Sequence, residues 1–448
     1  MSERTPSCAT GATSAHPPKV RLGEVCKQIR GVSYKPADAS TMRKNDYVPL
    51  LRANNISEGL INHEDLVFVK RERVLDSQYL QQGDVLVCTS SGSLKLVGKA
   101  ALILSTAEES FGAFCRVLRP DSALSASYFS HYFQSETYRR TISGKAAGAN
   151  INNIRNEDLD DLQIPLPPLA DQRRIAATLD KICGIIEKRK AQLAQLQQLV
   201  KSRFVEMFGE GRYPIQRLSE IAEITGGLTK NGKRRTMSLK LKYLRVANVF
   251  YNRLDLSDVQ EIGVEENEIP KTLLKKNDLL FVEGNGSIEQ VGRVALWSGE
   301  IEPCLHQNHL IKVRLGNGIA PEYALFYFMS EAGRHQIKDC AVSTTGLHTL
   351  STGKVANLHL PIPPLALQRE FAAFVAKVDR LEAAVKKGLA AAERLYRQQL
   401  QEVFDIADNI ADNIGDHRTR DHRTRDHRTR DHRTRDNMPQ PQLLKEGL

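Results

Sequence analysis

Basic and amide side chains recur in the glycine- and serine-containing stretches of this 448-residue sequence, which are typical of loops. Lysine and arginine neutralise phosphate groups, and arginine, asparagine and glutamine form hydrogen bonds to the edges of bases. Loops of this composition are therefore suited to contact nucleic acid. The candidate contacts are Lys35, Arg52, Asn54, Lys95, Lys99, Lys145, Asn150 and Asn152 in the first half and Lys230, Lys233, Arg234, Arg235, Arg245, Asn285 and Arg293 in the second.

These candidates differ in weight. The run Lys233-Arg234-Arg235 is the strongest, because it follows Gly232 in a predicted turn. Arg52 and Arg245 recur after equivalent strands, a pattern that fits either two DNA contacts or a shared structural ion pair. For any single lysine or arginine, an ordinary solvated surface position is the commoner situation.

Motifs for catalysis are missing from the sequence. It contains no phosphate-binding Gly-x-x-x-x-Gly-Lys-Ser/Thr loop, no complete dinucleotide fingerprint after Gly284, no Asn/Asp-Pro-Pro-aromatic tetrapeptide of amino-methyltransferases and no Gly-x-Ser-x-Gly. We therefore expect this chain by itself not to be an enzyme.

The composition predicts an intracellular protein. The formal net charge is +10, to which the four Asp-His-Arg-Thr-Arg units near the C-terminus contribute +4, so the remainder is modestly basic and compatible with a polyanionic partner. The seven cysteines form no CxxC pair or zinc spacing, and no metal site is expected. With no signal peptide or long apolar run, the expectation is a cytoplasmic protein without a membrane partner.

One stretch must position the loops, because it occurs twice at an offset of 196 residues. Pro165-Leu-Pro-Pro-Leu-Ala-Asp-Gln-Arg-Arg174 precedes an apolar periodicity that runs to Phe208, and Pro361-Ile-Pro-Pro-Leu-Ala-Leu-Gln-Arg-Glu370 precedes another that runs to Phe404. Each pattern predicts a long helix beginning after the prolines, with Asp171 as the N-cap of the first. Such a repeat predicts a duplicated architecture.

Both helices show the alternating four- and three-residue steps of a coiled-coil seam, over about 55 Å. If the two helices face each other, chain order makes them antiparallel. The C-terminal end of the second helix then lies beside the first half of the chain. Flush ends would place Arg189 against Leu389, so we predict either a one-heptad slide that pairs Arg189 with Glu382 or exposure of both charges. The predicted seam and subunit-interface residues are Leu179, Ile182, Ile186, Leu193, Leu196, Val375, Val378, Val385 and Leu389.

The two segments that precede the helices are predicted to be α+β globules of one plan. Short apolar runs bounded by glycine, asparagine, aspartate and serine indicate strands, and a helical periodicity follows near 125–141. Leu22-Gly-Glu-Val corresponds to Leu218-Ser-Glu-Ile, and Leu51-Arg-Ala-Asn-Asn-Ile corresponds to Leu244-Arg-Val-Ala-Asn-Val. The expected fold is therefore two α+β globules joined by two long helices in an antiparallel coiled coil, with pseudo-two-fold internal duplication.

The sequence divides into six predicted segments. They are a disordered tail at 1–19, a first globular domain at 20–164, a first helical region at 165–210, a second globular domain at 211–360, a second helical region at 361–404, and a low-complexity tail at 405–448.

This arrangement resembles the specificity subunits of type I restriction–modification systems over about residues 20–404. The resemblance rests on the two Pro-x-Pro-Pro-Leu motifs with Gln172-Arg173 and Gln368-Arg369, each opening a long helix after a globule. It implies two target-recognition domains, each contacting one half of a bipartite site in double-stranded DNA. It also implies a helical spacer that docks two adenine-methylating subunits, to which motor and nuclease subunits are added. S-adenosylmethionine, ATP and magnesium would belong to those partners, with no cofactor in this chain.

Two further interpretations remain open at the level of sequence. One is a coiled-coil adaptor whose globules never touch DNA, and the other is the recognition half split from a fused restriction–methylation enzyme. Under the main interpretation the two half-sites differ, because the globules differ, and lie about one helical turn or more apart.

Overall fold

The chain forms two compact units in a computed structural model that describes residues 17–93, 95–145, 152–344 and 346–405. Unit 1 comprises the chain up to Lys181 together with the chain from Leu395, and unit 2 comprises Ile182–Arg394. Each unit thus combines one globule with parts of both long helices. Residues 1–16 and 406–448, which make up most of the two tails, lie outside the described residues, as does the candidate Asn150.

In unit 1 most strands follow one another and the helices Ala126–Tyr132 and Glu136–Lys145 come after them, the segregated order expected of an α+β globule. The strands are β1 (Lys19–Arg21), β2 (Cys26–Arg30), β3 (Ala39–Ser40), β4 (Tyr47–Leu51), β5 (Ile56–Ser57), β6 (Leu60–Ile61), β7 (Val67–Lys70), β8 (Val85–Cys88), β9 (Ser90–Ser91), β10 (Ala100–Leu102), β11 (Ser110–Phe111), β12 (Cys115–Pro120), β13 (Asn152–Asn153) and β14 (Gln163–Pro165). The helices are α1 (Leu22–Val25), α2 (Ala126–Tyr132), α3 (Glu136–Lys145), α4 (Asn156–Asp160) and the long α5 (Leu169–Phe208).

The second globule, in unit 2, repeats this succession. Its strands are β15 (Ile215–Arg217), β16 (Ala222–Gly226), β17 (Lys240–Leu244), β18 (Val249–Phe250), β19 (Arg253–Leu254), β20 (Gln260–Gly263), β21 (Leu279–Val282), β22 (Gly284–Asn285), β23 (Val294–Leu296), β24 (Cys304–His306), β25 (Leu310–Leu315), β26 (Val342–Thr344), β27 (Leu347–Thr349) and β28 (His359–Pro361). Its helices are α6 (Leu218–Ile221), α7 (Ile269–Thr272), α8 (Pro321–Met329), α9 (Glu331–Cys340), α10 (Thr352–Ala356) and the long α11 (Leu365–Phe404).

The main sheets confirm the duplication. An antiparallel sheet of order β10-β8-β12-β2 in unit 1 corresponds to β23-β21-β25-β16 in unit 2. A second sheet contains a parallel pair in both units, β4 with β11 and β17 with β24. The predicted α+β fold is therefore correct, and the pairing register identifies which residues of the two units are equivalent.

Both long helices begin immediately after the proline pairs and end at the predicted residues, Phe208 and Phe404. Each has 40 residues, which corresponds to about 60 Å. The N-cap prediction for Asp171 is wrong, because the helix already begins at Leu169. Asp171 lies in the first turn, where its carboxylate accepts a hydrogen bond from Arg174 at 2.9 Å. Its negative charge also interacts favourably with the positive end of the helix dipole.

The glutamine of each motif ties its helix to the globule before it. In unit 1, the Gln172 side-chain oxygen accepts a hydrogen bond from the Ser125 backbone N–H at 2.8 Å, just before α2. In unit 2, the Gln368 oxygen accepts one from the Ala320 N–H at 2.9 Å, just before α8. Each side-chain nitrogen donates to a carbonyl of the preceding proline lead-in. A buried amide thus fixes the direction in which each long helix leaves its globule.

The long helices pack antiparallel, as predicted. In unit 1, Leu179 near the start of α5 shares a core with Leu400 and Phe404 at the end of α11. The C-terminal end of α11 therefore returns to the first globule, where the rings of Tyr128 and Phe404 lie 5.1 Å apart. In unit 2, the rings of Phe204, near the end of α5, and Phe371, near the start of α11, lie 5.4 Å apart.

The predicted seam residues differ in burial along the helices. Those close to the globules are fully buried, and those in the middle are half-buried, as expected where two helices pack without a globule above them. The buried ones are Leu179, Ile182, Val375 and Val378. The half-buried ones are Ile186, Leu193, Leu196, Val385 and Leu389.

The predicted one-heptad slide does not occur. In unit 2, Arg203 bonds to Glu370 at 3.0 Å. Arg189 lies beside Gly388, since a Cβ atom added to Gly388 would be 3.5 Å from the Nε of Arg189. The helix ends are therefore nearly flush, and Gly388 leaves room for the arginine. Arg189 is half-buried and donates to Gln192 on its own helix, and Glu382 pairs with Lys386 on its own helix. Both side chains bond within their own helix instead of across the seam, and because both are half-buried, the predicted exposure does not occur either.

None of the helices in the described part of the chain is both long and apolar enough to cross a membrane.

Candidate nucleic-acid interface

Arg52 and Arg245 occupy equivalent positions and make equivalent contacts. Each follows a strand, and its N–H donates at 2.9 Å to the side-chain oxygen of an asparagine three residues later, Asn55 or Asn248. The Arg52 guanidinium donates to the Asp65 carbonyl at 2.6 Å, and the Arg245 guanidinium bonds to the Asp258 carboxylate at 2.7 Å. Their recurrence therefore reflects a shared structural contact that holds a loop against its sheet.

In unit 1 that loop borders an open cleft of about 980 Å³. Arg52 and exposed Asn54 lie on one side, and Ser90 and Ser91 on the other. The cleft is open at the surface, and its lining sets Asn54, Ser90 and Ser91, which can bond to base edges, among mainly apolar residues. Of the sequence candidates, Arg52 and Asn54 are brought together here.

The other candidates of unit 1 lie around this region. Lys35 is exposed between two residues that line the cleft, Tyr34 and Pro36. Lys95 is exposed in the turn after β9, and Lys99 is half-buried just before β10. Lys145, at the end of α3, lies 3.8 Å from the Asp158 carboxylate.

Asn152 lies in β13, where its backbone pairs with Ser91.

Three of the seven candidate residues of unit 2 line a smaller cleft of about 290 Å³. Lys230, Arg234 and Arg235 line it together with Lys240, which the sequence analysis did not single out. Glu261 is the acidic residue of its lining, so lysine and arginine predominate there. This gives unit 2 a basic cleft of its own.

Arg234 has a structural role in this cleft. Its guanidinium bonds to both carboxylate oxygens of Glu268 at 2.7 and 2.8 Å and to the carbonyls of Thr229 and Gly263. The hydrogen bond from Arg234 lowers the pKa of Glu268 to about 2. Within the run Lys233-Arg234-Arg235, the flanking residues are exposed while the central one anchors the turn. DNA contact by Lys233 and Arg235 remains a prediction.

The remaining two candidates also make contacts within the protein. Arg293 donates to the carbonyls of Val249 and Val246 at 2.6 and 2.9 Å, and its guanidinium lies 5.4 Å from the centre of the Phe250 ring. Asn285 accepts a hydrogen bond from the Ser287 N–H at 2.9 Å. Arg293 therefore ties its loop to the segment that contains β18, and Asn285, at the end of β22, stabilises the turn that follows that strand.

No group of three or more histidine, cysteine, aspartate or glutamate side chains within residues 17–93, 95–145, 152–344 and 346–405 is arranged to hold a metal ion.

Comparison with known proteins accounts for the duplicated architecture. Residues 18–198 and residues 213–392 each match the type I restriction modification DNA specificity domain. The chain belongs to the type I specificity subunits. It is 33% identical over 406 residues to the EcoKI specificity subunit of Escherichia coli strain K12, an alignment that covers 86% of this chain and 87% of that protein. It is 32% identical to the StySPI specificity subunit of Salmonella potsdam, with the same coverage.

Two solved structures share the fold of this specificity subunit. The S subunit from M. genitalium has a TM-score of 0.51 and 16% identity, and the alignment covers 88% of this chain and 98% of that chain. A chain of another type I restriction–modification system has a TM-score of 0.52 and 18% identity, with 87% and 97% covered. The resemblance drawn from the two proline–glutamine–arginine motifs is thereby confirmed.

The sequence analysis of this specificity subunit missed a pair of arginines. Arg30 in β2 and Arg116 in β12 are direct partners in the antiparallel register of unit 1. They lie 86 positions apart in the sequence, and single arginines in predicted strands give no local signal of function. The strand pairing is the only signal that brings them together.

Proposed function

We propose that the chain is the sequence-specific DNA-binding subunit of a type I restriction–modification complex. Each unit reads one half of a bipartite site in double-stranded DNA, and the long helices dock two adenine-methylating subunits, to which motor and nuclease subunits are added. The observation that carries the proposal is the duplication: two globules with the same sheet order present clefts of different composition, one lined by Arg52 and Asn54 among apolar residues and one predominantly basic. Different clefts on one scaffold suit two different half-sites.

The two long helices offer matched apolar surface for a partner that binds twice. Ile185 on α5 and Leu381 on α11 are equivalent by the 196-residue offset, and so are Leu199 and Leu395. They are 49, 56, 48 and 46% exposed. On each helix the two residues are 14 positions apart, which places them on nearly the same face. Repeated exposed apolar positions support two copies of one partner subunit.

Chemistry belongs to the partners under this proposal. The chain supplies recognition and assembly and is not itself catalytic, whereas S-adenosylmethionine, ATP and magnesium are used by the methylating and motor subunits. The complex acts on DNA in the cytoplasm.

Mapping of N6-methyladenine across the genome of a host tests the recognition role. The host expresses the neighbouring methylating subunit with or without this chain. We expect a methylated bipartite motif that disappears when the chain is absent. Unchanged methylation would contradict the proposal and favour the coiled-coil adaptor.

Native mass spectrometry of the assembled complex tests the docking surface. Ile185→Asp and Leu381→Asp are each expected to leave one methylating subunit bound, and the double variant is expected to leave none, because a buried unpaired charge opposes apolar contact. Val205→Asp is the control, because Val205 is 63% exposed on α5 but has the polar Gln401 at its equivalent position. Two bound copies in the double variant would place the docking surface elsewhere.

A further inference from the structure

Three arginines line an open cleft of about 700 Å³ in unit 1, Arg30, Arg116 and Arg155, and Phe114 lies at its edge. Arg30 and Arg116 are directly opposite each other across β2 and β12. Like charges in this arrangement destabilise a sheet. A compensating contribution is therefore needed to explain the pair.

That contribution does not come from an ion pair within the described residues, where no carboxylate lies within 4.0 Å of these three guanidinium groups. Glu157 lines the cleft and Asp160, which accepts a hydrogen bond from Gln28 at 2.6 Å, lies nearby, so these two carboxylates offset only part of the charge of the three arginines. Burial and the charge of Arg30 lower the pKa of Arg116. The cleft therefore holds excess positive charge that an anionic ligand would neutralise.

Phe114 gives the cleft a second, independent feature. It is 70% exposed, whereas every other phenylalanine among the described residues is buried or half-buried. Its carbonyl accepts hydrogen bonds from the Thr89 N–H, the Ser90 N–H and the Thr89 hydroxyl at 2.9, 3.1 and 3.2 Å. The backbone thus holds an apolar ring in solvent, between this cleft and the larger cleft lined by Arg52 and Asn54.

The equivalent face of unit 2 has neither feature. Ile311 and Gly226 replace the arginine pair in the same register. His309 replaces Phe114, and its ring bonds to the Glu283 carboxylate at 2.7 Å. The combination of unpaired arginines with an exposed aromatic ring is therefore specific to unit 1 and is not required by the shared fold.

We propose that this cleft binds two neighbouring backbone phosphates of double-stranded DNA, one through Arg30 and one through Arg116, while Phe114 inserts at a partly unstacked base step and stacks there. Arginine matches phosphate geometry through paired N–H donors, and phenylalanine is one of the side chains that proteins insert between base steps of a duplex. Arg155, exposed on the rim, adds a third positive charge. The inference deepens the proposed DNA recognition and rests on it. It assigns unit 1 a backbone contact that the equivalent face of unit 2 lacks.

Binding of the full chain to a fluorescein-labelled, mixed-sequence 40-base-pair duplex tests the inference, with anisotropy measured between 50 and 200 mM salt. Because each phosphate contact contributes about 0.9 to the salt slope, Arg30→Gln and Arg116→Gln should each reduce that slope by about one and the double variant by about two. Phe114→Ala should weaken binding about tenfold at every salt concentration with the slope unchanged, because stacking releases no counterions.

Lys27→Gln is the matched control, because Lys27 is exposed on the same strand but does not line the cleft. Arg30→Lys should retain the slope. If the arginine variants keep the slope of the Lys27 variant, the phosphate site is wrong, and if Phe114→Ala binds like the unmodified chain, the stacking contact is wrong. Absence of salt-dependent binding by the unmodified chain would instead overturn DNA recognition as a whole. Unchanged circular dichroism spectra would show that the variants fold.

Discussion

In unit 1 the strands β2 and β12 present Arg30 opposite Arg116, whereas the equivalent strands of unit 2 present Gly226 opposite Ile311. Elsewhere the two sheets share the same strand order. The comparison separates residues that build the scaffold from residues that distinguish the units. A contact present in both units is explained by the shared fold, and one present in a single unit needs its own reason.

The clearest shared contact is a buried ion pair. Asp84 in unit 1 accepts hydrogen bonds from Arg119 at 2.7 and 2.8 Å, and Asp278 in unit 2 accepts them from Arg314 at 2.8 and 2.7 Å. Each carboxylate also accepts a backbone N–H three residues earlier in the chain. Because both carboxylates are almost fully buried, each pair closes the turn before a central strand.

The cores differ in polarity. Unit 2 buries His306 and Lys312 at positions where unit 1 has Phe111 and Val117. Lys312 donates to the Lys271 carbonyl at 2.8 Å, and burial lowers its pKa. Unit 2 therefore carries ionisable groups in its interior that unit 1 replaces with apolar side chains. Its stability should depend on pH in a way that unit 1's does not.

Removal of the shared carboxylates should have the largest effect. Asp84→Ala leaves the partly buried Arg119 without its carboxylate partner, and Asp278→Ala leaves Arg314 only a longer carboxylate contact with Glu223 at 3.6 Å. Each variant should therefore destabilise its own unit by about 3–5 kcal/mol. Trp297, the single tryptophan, is buried in unit 2, so its fluorescence reports unfolding there. Asp278→Ala should shift the Trp297 transition in urea, and Asp84→Ala should shift only part of the circular dichroism signal. A large effect in one unit alone would break the equivalence.

Most of the scaffold could be predicted from the sequence because its signals are local. The apolar periodicity and the paired prolines predicted both long helices and the residues at which they end. The recurring short motifs predicted the internal duplication. What failed depended on contacts between distant residues. Arg234 was the centre of the strongest basic run, but its partner Glu268 lies 34 positions away, and Arg30 meets Arg116 only through the sheet register. The heptad slide failed because Gly388 makes room for Arg189, which charge pairing along the sequence did not reveal.

Acidification should destabilise unit 2 selectively through His306. Burial lowers the pKa of His306 to about 4, below the value of about 6.5 expected in the unfolded chain. Between these values the unfolded state binds more protons, so stability falls as the pH falls, by roughly 3 kcal/mol in total. Urea unfolding followed by Trp297 fluorescence at pH 7, 5.5 and 4.5 measures this loss. His306→Phe, which installs the unit 1 residue, should remove that dependence, and an unchanged pH profile in this variant would contradict the assignment.

Replacing His131 with phenylalanine, the residue at the equivalent position of unit 2, should weaken the packing of the first globule against the long helices. His131 on α2 lies 2.9 Å from Asp180 on α5 and 2.8 Å from the Tyr396 hydroxyl on α11, whereas its equivalent, Phe326, packs 5.4 Å from the Phe371 ring. His131→Phe should cost about 1–2 kcal/mol, because these hydrogen bonds are lost. Thermal unfolding followed by circular dichroism measures it. Tyr396→Phe removes only one of the two bonds and should cost less.

The smallest effect, and the one that bears most directly on the difference between the units, is expected at Arg116. Arg116→Ile installs the unit 2 residue and removes the charge opposite Arg30, so unit 1 should become more stable by about 0.2–1 kcal/mol while the salt slope of DNA binding falls by about one. Urea unfolding and duplex binding of the same preparation measure both changes. Replacing a scaffold residue should lower the stability of the unit. Replacing a residue that is retained for its ligand should instead weaken DNA binding and raise the stability of the unit. A variant that is less stable than the unmodified chain would place Arg116 among the scaffold contacts and remove the main distinction between the two faces.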